Sequence, residues 1–322
     1  MSSTVSVSTP VPDRELAASR KQCRDIARSH YENFVVASVL LPRRMRQPFY
    51  DVYAFCRAAD DAADESASTA AANEALASFR ISIANIYSGG EVTGPFVALA
   101  ETVRRFHLPR KPFDDLLDAF VQDQTVHRYR DESMLLDYCC RSANPVGRIV
   151  LALGGCDTES HFRLSDDVCT GLQLANFWQD VTRDFAIGRV YLPESVMQRH
   201  GFDAAVLAET ITHSRPTPAC VRDAITEQCD RARGRLRRGR TLVATVPRWL
   251  AADVELFVRG GLATLDAIAR IQYDVLRYRP KVSKRKQAWL VASTFVRGVM
   301  GRPHGNGTGD EAIAPVTGGS HQ

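Results

Sequence analysis

No stretch of this 322-residue chain holds the roughly 18–20 apolar residues that a membrane-spanning helix needs, so any bilayer contact is expected from the surface. The first residues, Met1 to Asp13, are rich in Ser, Thr, Val and Pro. They lack the basic head and apolar run of a signal peptide. The eight cysteines (Cys23, Cys56, Cys139, Cys140, Cys156, Cys169, Cys220 and Cys229) form no CxxC pair and no zinc-ligand spacing. Most fall in apolar helical stretches, where a free thiol behaves as a small hydrophobe, and a reducing cytoplasm is the simplest reading. The histidines form no HExxH or paired-ligand pattern, and His107 and His127 read as ordinary surface or interfacial residues. There is no dinucleotide fingerprint: the glycines of Gly305-Asn306-Gly307-Thr308-Gly309 follow no strand and read as tail. A net charge of +4 is small for this length. No basic cluster is interleaved with stacking aromatics, which argues against a nucleic-acid partner.

What the chain has in abundance is apolar residues at helical spacing, while strand-like alternation is scarce. This predicts an all-α protein with helices at 13–29, 32–40, 43–64, 70–88, 94–106, 112–125, 131–154, 161–184, 203–213, 217–245, 249–278 and 283–300. Proline and glycine punctuate the boundaries, among them Pro42, Gly89-Gly90, Pro109, Gly154-Gly155, Pro216 and Pro247. Asn144-Pro145-Val146-Gly147 falls inside one expected helix and should kink it. Residues 187–193 read as a loop. Residues 13–300 form one helical domain on this reading, with disordered termini at 1–12 and 301–322.

Two acidic clusters stand out. Asp60-Asp61-Ala62-Ala63-Asp64-Glu65 closes a helix, and residues four apart share a face, so Asp60 and Asp64 point the same way with Asp61 beside them. Arg57 and Tyr53 continue that side. Asp180-Val181-Thr182-Arg183-Asp184 repeats the spacing, with Asn176 and Gln173 behind it. A solvated helix face is the ordinary fate of such runs. Three features weigh against it here. Asp is a poor helix former, and like charges four apart cost roughly 0.2–0.5 kcal/mol per pair. The second cluster follows Leu172-Gln173-Leu174-Ala175-Asn176-Phe177-Trp178-Gln179, too apolar for a surface helix. The shared spacing would also let the clusters face each other across a cavity.

Facing carboxylates must protonate or share a cation. Oxygen ligands with few dedicated protein atoms suit Mg²⁺, which keeps waters and binds substrate phosphates at once. About two or three Mg²⁺ ions bridged by Asp60, Asp64, Asp180 and Asp184 would hold a diphosphate and neutralise its charge as it leaves. The carbocation left behind needs an apolar shelter, which aromatic faces stabilise. Tyr53, Phe34, Phe55, Phe177 and Trp178 are the candidates, each also explicable as plain core.

Taken together, Asn33-Phe34-Val35-Val36-Ala37-Ser38-Val39-Leu40-Leu41-Pro42, the stretch from Val52 to Glu65, Leu174 to Asp184, and Gly188-Arg189-Val190-Tyr191-Leu192-Pro193 resemble the squalene/phytoene synthase family. The resemblance runs from about residue 15 to 300. It implies the isoprenoid synthase fold, with a central cavity and a magnesium-bound prenyl diphosphate. By resemblance Asp60, Asp61, Asp64, Asp180 and Asp184 are metal ligands, assisted by Asn176. Arg57, Arg189 and Tyr191 contact diphosphate, and Gln173, Phe34 and Asn33 line the substrate site. Glu32-Asn33-Phe34 stands where condensing members carry a Ser, a basic residue and Ser-Phe. Ser142-Ala143-Asn144-Pro145 also departs from their pattern. These departures, with Tyr273 to Pro280, resemble the bacterial hopanoid-linked branch understood as hydroxysqualene synthase. That branch ionises presqualene diphosphate and quenches the rearranged cation with water, with no NADPH expected. A condensing prenyltransferase acting on farnesyl or geranylgeranyl diphosphate is the alternative, and a non-catalytic prenyl-binding or assembly protein a remoter one.

The basic residues Arg277, Arg279, Lys281, Lys284, Arg285 and Lys286, beside Trp289, Leu290, Val291 and Phe295, fit either an anionic lipid surface or a solvated helix end. The expected setting is the cytoplasm, at most peripheral to the inner membrane. Neighbouring pathway enzymes would be natural partners for passing on an insoluble intermediate.

Overall fold

A computed structural model of the chain describes residues 12–29, 41–283, 289–290 and 293–294. The helix expected at 32–40, most of that expected at 283–300, and both terminal tails lie outside the described residues. So do Asn33 and Phe34.

Among the described residues the elements are helical, with one isolated bridge between Arg128 and Val190. In chain order they are α1 (Asp13–Ser29), α2 (Arg43–Asp64), α3 (Thr69–Ser88), α4 (Pro95–Phe106), α5 (Lys111–Gln122), α6 (Glu132–Ser142) and α7 (Asn144–Leu153). There follow α8 (Glu159–Gln179), α9 (Val181–Ala186), α10 (Glu194–Arg199), α11 (Ala204–Thr212), α12 (Ala219–Gly239), a 3₁₀ turn at Arg240–Ala244 and α13 (Arg248–Arg270). Short polar side chains start several of them. Ser68, Asp131, Thr158 and Asp203 each accept a bond from a first-turn backbone N–H. Gly89, at φ 78°, closes α3 in the left-handed conformation that glycine adopts without strain.

Several expected boundaries are corrected. The helix expected at 131–154 is two helices: the chain turns at Ala143, and Pro145 sits in the first turn of α7. The missing N–H would be orphaned there anyway, so proline begins a helix where a kink was expected. The helix expected at 161–184 likewise ends at Gln179, with Asp180 (φ −108°, ψ 17°) as the joint to α9. The expected 217–245 helix closes as a 3₁₀ turn, and 249–278 stops at Arg270. α10 carries too short a pattern to be read in advance.

Two cores organise the packing. One gathers α2 to α5 around Phe55, Phe113, Leu76 and Ile83, with Phe55 edge-on to Phe113 at 5.3 Å. The other surrounds α8, where Leu174, Phe177 and Trp178 meet Ile225, Ala232 and Leu236 of α12 and Val258 and Leu265 of α13. α8 is therefore the central post, and the second acidic cluster follows directly on its last turn. Its close approach to α12 depends on small residues. A Cβ on Gly239 would lie 2.6 Å from Val168 Cγ2 and 2.8 Å from both the Leu164 carbonyl oxygen and the Val168 nitrogen. Backbone atoms cannot rotate away. Gly239→Ala should therefore lose about 2 kcal/mol in urea unfolding, because overpacking outweighs alanine's better helix propensity. An unchanged midpoint would contradict that packing.

Candidate active site

The first cluster occupies the last turns of α2. Arg57 Nη1 donates to Asp60 Oδ2 at 3.1 Å, and its other nitrogen pairs with Asp61. Tyr53, one turn earlier, is half-buried, and burial pushes its phenol above the usual range. Burial and then the neighbouring Asp64 raise the Asp60 carboxyl, against the pull of Arg57. The second cluster keeps its one-turn spacing although α8 has ended, since Asp184 N donates to the Asp180 carbonyl at 2.9 Å. Burial, reinforced by Asp180, pushes Asp184 up to about 7. Asn176 is exposed and Gln173 half-buried on the preceding turns of α8.

One residue joins the two clusters. The backbone N–H of Arg189 donates to the Asp184 carbonyl at 2.8 Å, while its Nη2 reaches Asp64 Oδ1 at 3.1 Å. Its loop is laced down: Val190 N donates to the His127 carbonyl at 2.9 Å, and Arg128 Nη1 to the Gly188 carbonyl at 2.7 Å. The structure thus brings together Tyr53, Arg57, Asp60, Asp61, Asp64, Asp180, Asp184 and Arg189.

Tyr191 sits deeper. It is 8% exposed, and its ring stacks on Phe177 at 3.8 Å. Two of the suggested cation-facing aromatics are core side chains: Trp178 is fully buried, and Phe55 packs among Phe79, Phe96 and Phe113. Arg279, read above as part of a basic run fitting either a lipid surface or a solvated helix end, folds back on the site. Its Nη2 donates to Asp180 Oδ2 at 3.1 Å, and its Nε to Oδ1.

Two further groups had no sequence signal. Asp123, just past α5, accepts a 2.8 Å bond from the Tyr138 hydroxyl. Burial pushes its carboxyl up to about 6 despite the pull of Tyr138 and Arg189. Tyr138 in turn stacks on Tyr191 at 6.0 Å. A lone Asp between two glutamines gives no spacing to read. Only the tertiary meeting of α5 with α6 places it behind the aspartates.

Among the described residues, no three His, Cys, Asp or Glu side chains converge to cage an ion. The donors are carboxylates in two separate pairs, and Asp60 and Asp184 are held above the ordinary carboxylate range. That donor set fits Mg²⁺, which takes one or two carboxylates and completes its shell with water and substrate phosphate.

Residues 27–286 match the squalene/phytoene synthase family model. The chain belongs to this family. The phytoene synthase of Cereibacter sphaeroides is 32% identical over 85% of this chain and 79% of its own length. The hydroxysqualene synthase of Sinorhizobium fredii is 36% identical over 55% of this chain and 60% of its own. Among solved structures, squalene synthase HpnC from Alicyclobacillus acidocaldarius superposes with a TM-score of 0.76 at 40% identity, covering 82% of this chain and 97% of that one. The isoprenoid synthase fold follows. As a squalene/phytoene synthase family member the chain belongs among enzymes that process prenyl diphosphates.

Proposed function

We propose that this chain is a hydroxysqualene synthase: it ionises presqualene diphosphate, lets the cyclopropylcarbinyl cation rearrange, and captures it with water. The observation that carries the ionisation step is Arg189, anchored by its backbone to one carboxylate pair and by its side chain to the other. A diphosphate between the pairs would draw the Arg189 and Arg57 guanidiniums, freeing Asp64 and Asp60 to hold metal opposite Asp180 and Asp184. The chemistry supplied by bound Mg²⁺ is neutralisation of the charge gathering on the departing diphosphate. Arg57 and Arg189 add fixed positive charge beside it.

Water capture over condensation is read from Ser142-Ala143-Asn144-Pro145 only as a departure from the pattern of condensing members; its structural role is packing. Asn144 is buried and its Oδ1 accepts from Thr170 Oγ1 of α8 at 2.9 Å, so this segment fixes α7 against the central helix. The likeness to a hydroxysqualene synthase supports the same reading. A condensing synthase is the second reading, favoured by the broad coverage of the phytoene synthase relative.

Separate incubations with presqualene, farnesyl and geranylgeranyl diphosphates, with and without Mg²⁺ and NADPH, distinguish the two. The expected result is a thirty-carbon alcohol from presqualene diphosphate, dependent on Mg²⁺ and indifferent to NADPH. Turnover of farnesyl or geranylgeranyl diphosphate, with presqualene diphosphate left intact, would replace this reading by condensation.

A further inference from the structure

The second acidic cluster is met by a segment from the far end of the chain. Beyond Arg270 the backbone turns through Gln272 and Tyr273, whose φ values of 54° and 57° lie in the left-handed region that residues with a side chain seldom adopt. Such a turn persists only where its surroundings hold it. Asp274 supplies the hold. It is 7% exposed, and its Oδ1 accepts from the Thr217 N–H at 2.8 Å and from the Thr217 hydroxyl at 2.7 Å. Leu276 N donates to the same hydroxyl at 3.2 Å, and Val275 and Leu276 enter the core around α8. The strap at 271–280 is therefore rooted before it reaches the site.

Two neighbouring residues clasp its other end. Gln179, the last residue of α8, donates through Nε2 to the Pro280 carbonyl at 2.8 Å. Asp180, the next residue, takes the fork of Arg279 on both carboxylate oxygens. Pro280 is buried, so its carbonyl needs a partner from the protein. Its ring also confines the backbone of Arg279 to extended conformations. Between root and clasp, Arg277 and Tyr278 are exposed. With that turn in solvent, the aim of the Arg279 guanidinium depends on the clasp.

We propose that Gln179 is a positioning residue: by holding Pro280 it keeps the Arg279 guanidinium beside the second acidic cluster, before and after Asp180 exchanges that guanidinium for metal. The fork occupies both oxygens of Asp180, so metal binding there has to release it. An arginine released on a loose segment spreads over many backbone and rotamer states, and ordering it again opposes binding. Tied one residue away, Arg279 stays at the cluster as fixed positive charge for a diphosphate. Gln179 itself spends its donor on a backbone carbonyl, so its effect passes through Arg279. This deepens the ionisation step and rests on that part of the proposed function.

Calorimetric titration of the full chain with inorganic pyrophosphate in Mg²⁺ tests this without turnover. Arg279→Ala should weaken binding about a hundredfold, and Gln179→Met, which keeps the side-chain length but removes the donor, about tenfold. The double variant should bind no more weakly than Arg279→Ala, because a residue that acts through another has no effect once the other is gone. A tenfold loss that persists in the Arg279→Ala background would overturn the proposal, since it would make Gln179 a general support of the fold. Binding that Gln179→Met leaves unchanged would overturn it too. Circular dichroism checks each variant, and if Gln179→Met unfolds, Gln179→Asn, too short for the Pro280 carbonyl, enters the same cycle. An unaltered chain that binds no pyrophosphate would sink the metal and diphosphate reading, and this inference with it. Binding with additive losses sinks the inference alone.

Discussion

Asp180→Asn is expected to lower kcat/KM by about three orders of magnitude, or about 4 kcal/mol of transition-state stabilisation. The substitution keeps the shape of the side chain and removes its charge. Asp180 joins α8 to α9, receives Arg279, and sits one turn from Asp184, so the lost charge falls in the pair proposed to hold metal. A purely structural role predicts a different outcome. The Asp180 side chain is 22% exposed, and a pair with such access to solvent is worth on the order of 1 kcal/mol or less to folding. The melting temperature should therefore barely move while turnover collapses. Asp167→Asn is the matched control. Asp167 is also gripped by two arginines, Arg235 at 2.9 Å and Arg238 at 3.1 Å, but on the α8 to α12 face away from the cluster. Its loss should leave kcat/KM unchanged. If the Asp180 variant kept its activity, the metal would have to sit elsewhere.

The contrast between these aspartates shows what the sequence can tell and where it stops. Spacing alone marked Asp60, Asp64, Asp180 and Asp184, because a helical period is a local property of the chain. The loop at 187–193 was readable for the same reason, through its glycine and proline. Arg279 looked like one cation in a run of cations, and nothing local distinguishes an arginine that turns back onto Asp180 from one that faces solvent. Asp123 and Tyr138 were silent because their meeting depends on how α5 packs on α6. For Trp178 and Phe55, open between cavity lining and core, the structure takes the core reading. Sequence alone cannot separate the two fates of an aromatic beside an acidic cluster, and these two side chains fill the core beneath it. Helix ends failed where the dihedrals of one residue decide them, as at Ala143 and Asp180, since one such residue leaves the apolar period on either side unbroken.

Asp253 is expected to make the protein less stable as pH rises, and Asp253→Leu to reverse that. It lies within α13, 2% exposed, and neither carboxyl oxygen has a hydrogen-bond partner among the described residues. Burial alone pushes its carboxyl from the ordinary 3.8 up to about 8. The folded state therefore holds a proton that the unfolded chain releases above about pH 4, so stability falls from there until the folded carboxyl itself ionises. Each unit between the two values is worth about 1.36 kcal/mol, so the fall across this window has an upper bound of roughly 6 kcal/mol, reduced by water entry and local relaxation. Asp253→Asn abolishes the titration but keeps a buried polar group, so it should flatten the pH dependence without the full gain. Asp253→Leu removes both and should add about 2 kcal/mol or more at pH 8, with little benefit at pH 4. Urea unfolding of the three proteins from pH 4 to 8 reads this directly, and parallel curves for wild type and Asp253→Asn would refute a buried neutral acid. A carboxyl that weakens the fold at neutral pH fits a protein held just above its stability threshold, in which one core position carries an acid where a leucine would pack better.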